Sequence, residues 1–179
     1  MGKIETEIAE KYQKLIAKQK MFFVATAPEE GRINLSPKGL DTFRVINKNK
    51  VAWLNLTGSG NETAAHVLEN GRMTIMFCAF EGDPAILRLY GQAEIIHTDE
   101  PAWEEYASLF PPFNGIRQLM VMRVEAVQKS CGFGVPLYEY KGQRDTLFDW
   151  TLKKGEDGIR TYWKERNAIS IDGKKTDFG

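Results

Sequence analysis

"LNLTGSGNETAAHVLENGRMTIMF", residues 54–77, is the stretch on which the fold turns. An apolar run ending at Leu56 gives way to a small polar loop at 57–60. Helical spacing follows from about 61 to 70, with Gly71 placed as a C-terminal stop, and a second apolar run covers 73–80. The loop "GSGN" has two readings. In the plainer one, Ser59 is the N-cap and Glu62 the N3 acid of a capping box, and the loop only starts a helix. In the other, the glycines let an anion approach the backbone, and the unpaired amides of the helix start, with Ser59, Asn61 and Thr63, cradle it. Glu62 would repel such an anion, so cations must come from elsewhere, and Lys38, Arg44 and Arg72 are the candidates. The loop lacks the Lys-Ser/Thr of a phosphate-binding P-loop and the third glycine and βαβ setting of a dinucleotide fingerprint.

Outward from this stretch, the chain alternates between apolar runs and tight turns. "MFFVATA" (21–27), "INLSP" (33–37), "TFRVI" (42–46) and "VAWLNL" (51–56) read as strands, as do "MTIMFCAF" (73–80), "AILRLYGQAEII" (85–96) and "RQLMVMRVEAV" (117–127). Gly91 is placed as a bulge within a strand. Residues 4–19 carry Ile4, Ile8, Tyr12, Leu15 and Ile16 on one stripe and predict an amphipathic helix, while "PAWEEYASLF" (101–110) predicts a short helix with Pro at its start. Strands joined mainly by short turns fit an antiparallel barrel rather than a parallel sheet. The economical architecture is one domain over 1–179. It has an N-terminal helix within 1–20 and a helical or irregular tail over 143–179.

Composition narrows the function classes. Lys plus Arg and Asp plus Glu each number 24, so the formal net charge is zero, and a nucleic acid or an anionic membrane is not the expected partner. No stretch approaches the roughly 20 apolar residues that span a bilayer, and the charged first twenty residues lack a secretory pattern. Two cysteines, Cys78 and Cys131, suit a reducing cytoplasm, and two His and two Cys far apart give no metal-ligand spacing. His66, one turn into the predicted helix, reads as a structural histidine. His97 reads as exposed at a strand end, and Cys131 as a small residue in a Gly-rich turn. Trp53, Met73 and Met76 belong to the core. Trp150 and Trp163 either pack the tail onto the barrel or cover a ligand or a dimer seam. Arg88 and Arg117 lie within strands and need partners, with Glu94, Glu125 or a cleft as the alternatives.

Several stretches together resemble one family. "FFVATA", "GRINLSPKG", "VAWLNLTGSGNETAAHVLENGRMTIMF", "ILRLYGQAEII" and "SCGFGVPLY" are similar to the pyridoxamine 5'-phosphate oxidase-like, flavin-binding split β-barrels, over roughly residues 12–138. The resemblance implies a mainly β, six-stranded antiparallel split barrel with flanking helices. It also implies a homodimer and FMN in a cleft between the two chains. Carried over position by position, the cofactor contacts fall on Ser36, Lys38 and Gly39 after the second strand, and on Ser59, Gly60, Asn61 and Thr63 at the loop and helix. Family members that oxidise pyridoxamine phosphate carry an Arg-Lys pair where this chain has Glu62 and Thr63, which argues against that substrate and leaves deazaflavin, heme or an empty cleft as alternatives to FMN. The implied activity is that of a flavin-dependent oxidoreductase. A non-enzymatic cofactor carrier or sensor and a nucleic-acid-binding barrel are the competing classes.

Overall fold

A computed structural model describes residues 4–178. The elements run β1 (Ile4–Glu5), α1 (Glu10–Lys18), β2 (Phe22–Thr26), β3 (Asn34–Lys38), β4 (Phe43–Asn47), β5 (Lys50–Leu56), α2 (Glu62–Asn70), β6 (Arg72–Cys78), β7 (Ile86–Ile96), α3 (Trp103–Ala107), β8 (Ile116–Ser130) and α4 (Thr146–Arg166). The strands form an antiparallel sheet of order β3-β2-β6-β7-β8-β5-β4, with β1 added to β8. The resemblance implies six strands; the sheet has eight. It does not close, because β3 and β4 stand at its two ends.

Two of the added features have local causes. The N-terminal helix is shorter than the stripe predicts. Ile8, Tyr12 and Ile16 are buried, but Ile4 is exposed and sits in β1, paired with Gln128. The part of the predicted N-terminal segment at 1–3 lies outside the described residues. The second feature is β8, which runs 15 residues, longer than its predicted span. It holds both faces of the sheet together: Met120, Met122 and Val124 enter the main core with Trp53, Phe77, Leu87 and Leu89, whereas Leu119 and Val121 enter a second core with Leu54, Tyr106 and Phe110. Burial on both faces explains why β5 and β8 read as nearly continuous apolar runs.

Gly71 ends α2 in the left-handed conformation at φ 69°, as its position predicts. Gly91 sits at the register shift between β7 and β8, and a Cβ there would lie 1.9 Å from the Arg123 carbonyl oxygen, so only glycine fits. Phe22, Phe43, Phe77 and Trp53 fill one end of the main core, with ring centroids 5.0–6.2 Å apart.

Candidate functional site

The turn after β3 sets the geometry. Pro37 is tolerated because β3 is an edge strand, bonded only to β2. After Lys38 the chain reverses through Gly39 and then Leu40 and Asp41, both at positive φ (62° and 56°) without being glycine. The Thr42 hydroxyl donates to the Gly39 carbonyl at 2.7 Å and fixes this turn. Facing it across the open side of the sheet lie the 57–61 loop and the start of α2. Between them is a cavity of about 760 Å³. All seven residues proposed from the sequence, Ser36, Lys38, Gly39, Ser59, Gly60, Asn61 and Thr63, line it. Of the cations proposed to serve it, Lys38 lines the cavity; Arg44 and Arg72 do not. Arg44 is held by Asp41 and the Leu109 carbonyl, and Arg72 reaches the Pro28 carbonyl.

The capping box does not form. Asn61, not Ser59, is the N-cap, and Glu62 opens the helix instead of standing at its third position. Glu62 is instead turned toward the C-terminal tail, where both carboxylate oxygens accept from the Ile171 amide at 3.1 Å. The amides of Ser59, Gly60, Asn61, Glu62 and Thr63 have no protein acceptor among the described residues. That is the unpaired donor set of a helix start. Asn61 is buried, its side-chain oxygen accepting from Asn55 at 3.0 Å. The Thr63 hydroxyl accepts from Asn34 at 3.1 Å, and Ser36 donates to Asn34 at 3.1 Å, which ties β3 to α2.

Arg117 is the residue whose role could not be read from the sequence. It pairs with neither Glu94 nor Glu125. Its guanidinium is 4% exposed, faces the same cavity and donates to the Gly60 carbonyl at 2.8 Å, Asn167 Oδ1 at 2.9 Å and Asn55 Oδ1 at 3.1 Å. Its Nε is buried without a partner, and no carboxylate neutralises it among the described residues. Burial pulls its pKa down to about 10. Lys38 is half-buried, its ammonium 5.1 Å from the Trp53 ring centroid. Burial first, then repulsion from Arg117, brings its pKa down to about 8. Among the described residues, the only carboxylate lining this cavity is that of Glu62. Two cations without acid partners, next to free amides, form a site that favours an anion.

The tail completes the site. Asn167, fully buried, bridges Arg117 and the Gly58 carbonyl, and its own carbonyl accepts from Thr176. Asp172 binds Arg32 through both its side chain and its backbone amide. Asp177 accepts from His97 at 3.0 Å and from Gln118 at 2.8 Å, so His97 is half-buried and partnered, not free at a strand end. Trp163 donates to the Thr57 hydroxyl at 2.9 Å and packs on Phe178, in keeping with the packing alternative. Trp150 packs edge-on against Tyr162. His66 is buried, bonded through Nδ1 to Thr26, and burial lowers its pKa; it lies away from the cavity and acts in packing. Cys131 is exposed instead of packed within its turn, and Cys78 is buried; both thiols are free.

Comparisons with known proteins bear on this site. A family pattern described as pyridoxamine 5'-phosphate oxidase matches residues 8–131. The pyridoxamine 5'-phosphate oxidase family protein ustO of Aspergillus flavus is 36% identical over 176 residues, which covers 87% of this chain and 70% of that protein. Among solved structures, HupZ of Group A Streptococcus superposes with a TM-score of 0.54 at 23% identity, covering 67% of this chain and 91% of its own. An FMN-binding protein of Syntrophomonas wolfei superposes with a TM-score of 0.50 at 14% identity, over 67% of this chain and 84% of its own. At these identities the two structures speak to the fold.

Proposed function

This chain belongs to the pyridoxamine 5'-phosphate oxidase family, and on that premise we propose that its polar cavity holds the phosphate end of FMN and that the protein is a flavin-dependent oxidoreductase. The observation that carries the reading is the buried, acid-free Arg117 beside Lys38 and the free amides of 59–63. A buried guanidinium with an unsatisfied nitrogen costs folding free energy unless an anion repays it. The volume, about 760 Å³, lies within the range of sites for molecules of this size.

The residues present fit the group. Arg117 and Lys38 supply the charge, the loop amides and the Ser59 hydroxyl supply donors, and Gly58 and Gly60 leave the backbone uncovered. The Ile171 amide holds Glu62, so the like charge is engaged by the tail. FMN supplies the redox chemistry when bound, through a ring that accepts a hydride or single electrons. The chain's own part is to bind, orient and exclude water. Heme is the poorer occupant, since among the described residues no His, Cys, Met or Tyr lines the cavity to serve as an axial ligand. Glu62 and Thr63 at the helix start weigh against pyridoxamine phosphate as substrate, because Glu62 replaces a cation with an anion there.

The proposed assembly is a homodimer with the second copy over the open side of the cavity. Ile33, Leu35 and Ile171, respectively 77%, 62% and 70% exposed, rim that opening with apolar surface. The test is a titration of purified protein with FMN and with riboflavin, followed by anaerobic NADH or NADPH. Tight FMN, weaker riboflavin and bleaching of the yellow colour are expected. A protein that takes up neither flavin overturns the reading, and one that binds FMN but is reduced by neither donor leaves a carrier in place of an enzyme. Sedimentation of the loaded protein as a monomer would remove the dimer.

A further inference from the structure

A second cavity, about 660 Å³, adjoins the first and differs from it in chemistry. Its walls include Met21, Leu40, Tyr140, Leu147 and Trp150, and the turn Pro37–Leu40 separates it from the polar cavity, with Lys38 lining both. Lys20 and Arg144 also line it, and among the described residues no Asp or Glu does. None of these three cations has a carboxylate within ion-pair distance among the described residues. Lys20 instead lies 5.6 Å from the Tyr140 ring centroid and Lys38 lies over Trp53. Gly39 and Gly142 contribute no side chain to the wall.

An apolar hollow would by itself suit any hydrophobic molecule. Cations alone would be a solvated rim, worth little. Their combination without an acid selects a ligand with an apolar body and a negative end: the body displaces water from the aromatic and aliphatic wall, and the charge meets Lys20 and Arg144. We propose that this cavity is a subsite for a small aromatic carboxylate, seated next to the occupant of the polar cavity. The proposal rests on the flavin reading only in making that molecule the second reactant; the binding itself does not depend on it.

The probe is 2-naphthoate, with 2-naphthamide as its neutral analogue, titrated by calorimetry into the full-length protein with and without FMN. Naphthoate is expected to bind at least about tenfold more tightly than naphthamide, the size expected for two partly solvated charge contacts. The double variant Lys20→Ala with Arg144→Ala, both at the surface, should bring naphthoate down to the affinity of naphthamide, and Trp150→Ala should weaken both. Arg117→Met should leave naphthoate binding to the flavin-free protein unchanged. Equal affinity for the two probes, an unaffected double variant that melts like the parent, or loss of naphthoate on Arg117→Met would each overturn the subsite. FMN retention is read in the same preparations. Naphthoate binding without FMN retention defeats only the flavin reading, and FMN retention without naphthoate binding defeats only this one.

Discussion

Replacing Arg117 with Met separates a functional charge from a structural one, because the stability of the flavin-free protein and its affinity for FMN are measured apart. In the flavin-free protein the guanidinium is 4% exposed and its pKa is pulled down to about 10 by burial. Holding it charged at neutral pH therefore costs roughly 3 kcal/mol of folding free energy at about 1.4 kcal/mol per tenfold. Its three hydrogen bonds, to Gly60, Asn167 and Asn55 at 2.8–3.1 Å, return about 1 kcal/mol each. Methionine removes both contributions and fills much of the same space. The Gly60, Asn55 and Asn167 oxygens lose their donor, so the flavin-free variant should stay folded but lose about 1–3 kcal/mol. The bound state is different. A buried cation meeting a phosphate contributes about 2–4 kcal/mol, so FMN should dissociate roughly 30- to 900-fold more readily. Riboflavin, which has the ring and no phosphate, should lose less than about threefold. Fluorescence titration of both flavins, with a thermal melt of each flavin-free sample, reads all three quantities. A folded variant that keeps FMN affinity, or that loses FMN and riboflavin alike, refutes the assignment of Arg117 to the phosphate.

Lys38 gives a pH dependence. A lysine with a pKa of about 8 is charged below that value and neutral above it, so FMN affinity should fall between pH 7 and 9, and Lys38→Arg should flatten the profile. The same depression costs stability below about 8 and is relieved as pH rises toward the unfolded value of 10.5, so flavin-free protein should gain, not lose, stability from this group over that window in an alkaline melt series. Glu62→Gln removes a carboxylate at the cavity and should tighten FMN about three- to tenfold, as for removing a partly screened like charge; weaker binding would mean that Glu62 matters more for holding the tail than for its charge. Asn167→Ala should weaken FMN about tenfold while lowering stability by about 1–3 kcal/mol, since a buried bridge between Arg117 and Gly58 is lost. Gly91→Ala would drive a Cβ to 1.9 Å from a backbone oxygen, and urea unfolding should show a loss above about 3 kcal/mol or no folded protein.

Much of the architecture was legible. The strands show as apolar runs between turns, Gly71 sits where a helix must stop, and Gly91 marks a bulge. The seven candidate residues meet in one cavity because they flank two turns that face each other across the open side of the sheet. The count of strands was not legible, since β1 is two residues long and is defined only by its pairing with β8. The capping box misled: spacing alone suggests Ser59 and Glu62, but the tail offers Glu62 a backbone donor 109 residues away. Arg117 carried one usable signal. It shares the alternation phase of Leu119 and Val121, which are buried, and a cation on an inward phase needs a partner.

The sequence by itself determined most of the elements, their order and the family, because period, turn residues and local sterics act over a few neighbours. Only the tertiary structure decided which charges are neutralised. Arg117, Lys38, Glu62 and Asn167 come from four segments of the chain, and whether a cation is left free for an anion depends on which acids and amides the fold brings within about 3–4 Å. That is a property of packing, and no local pattern carries it.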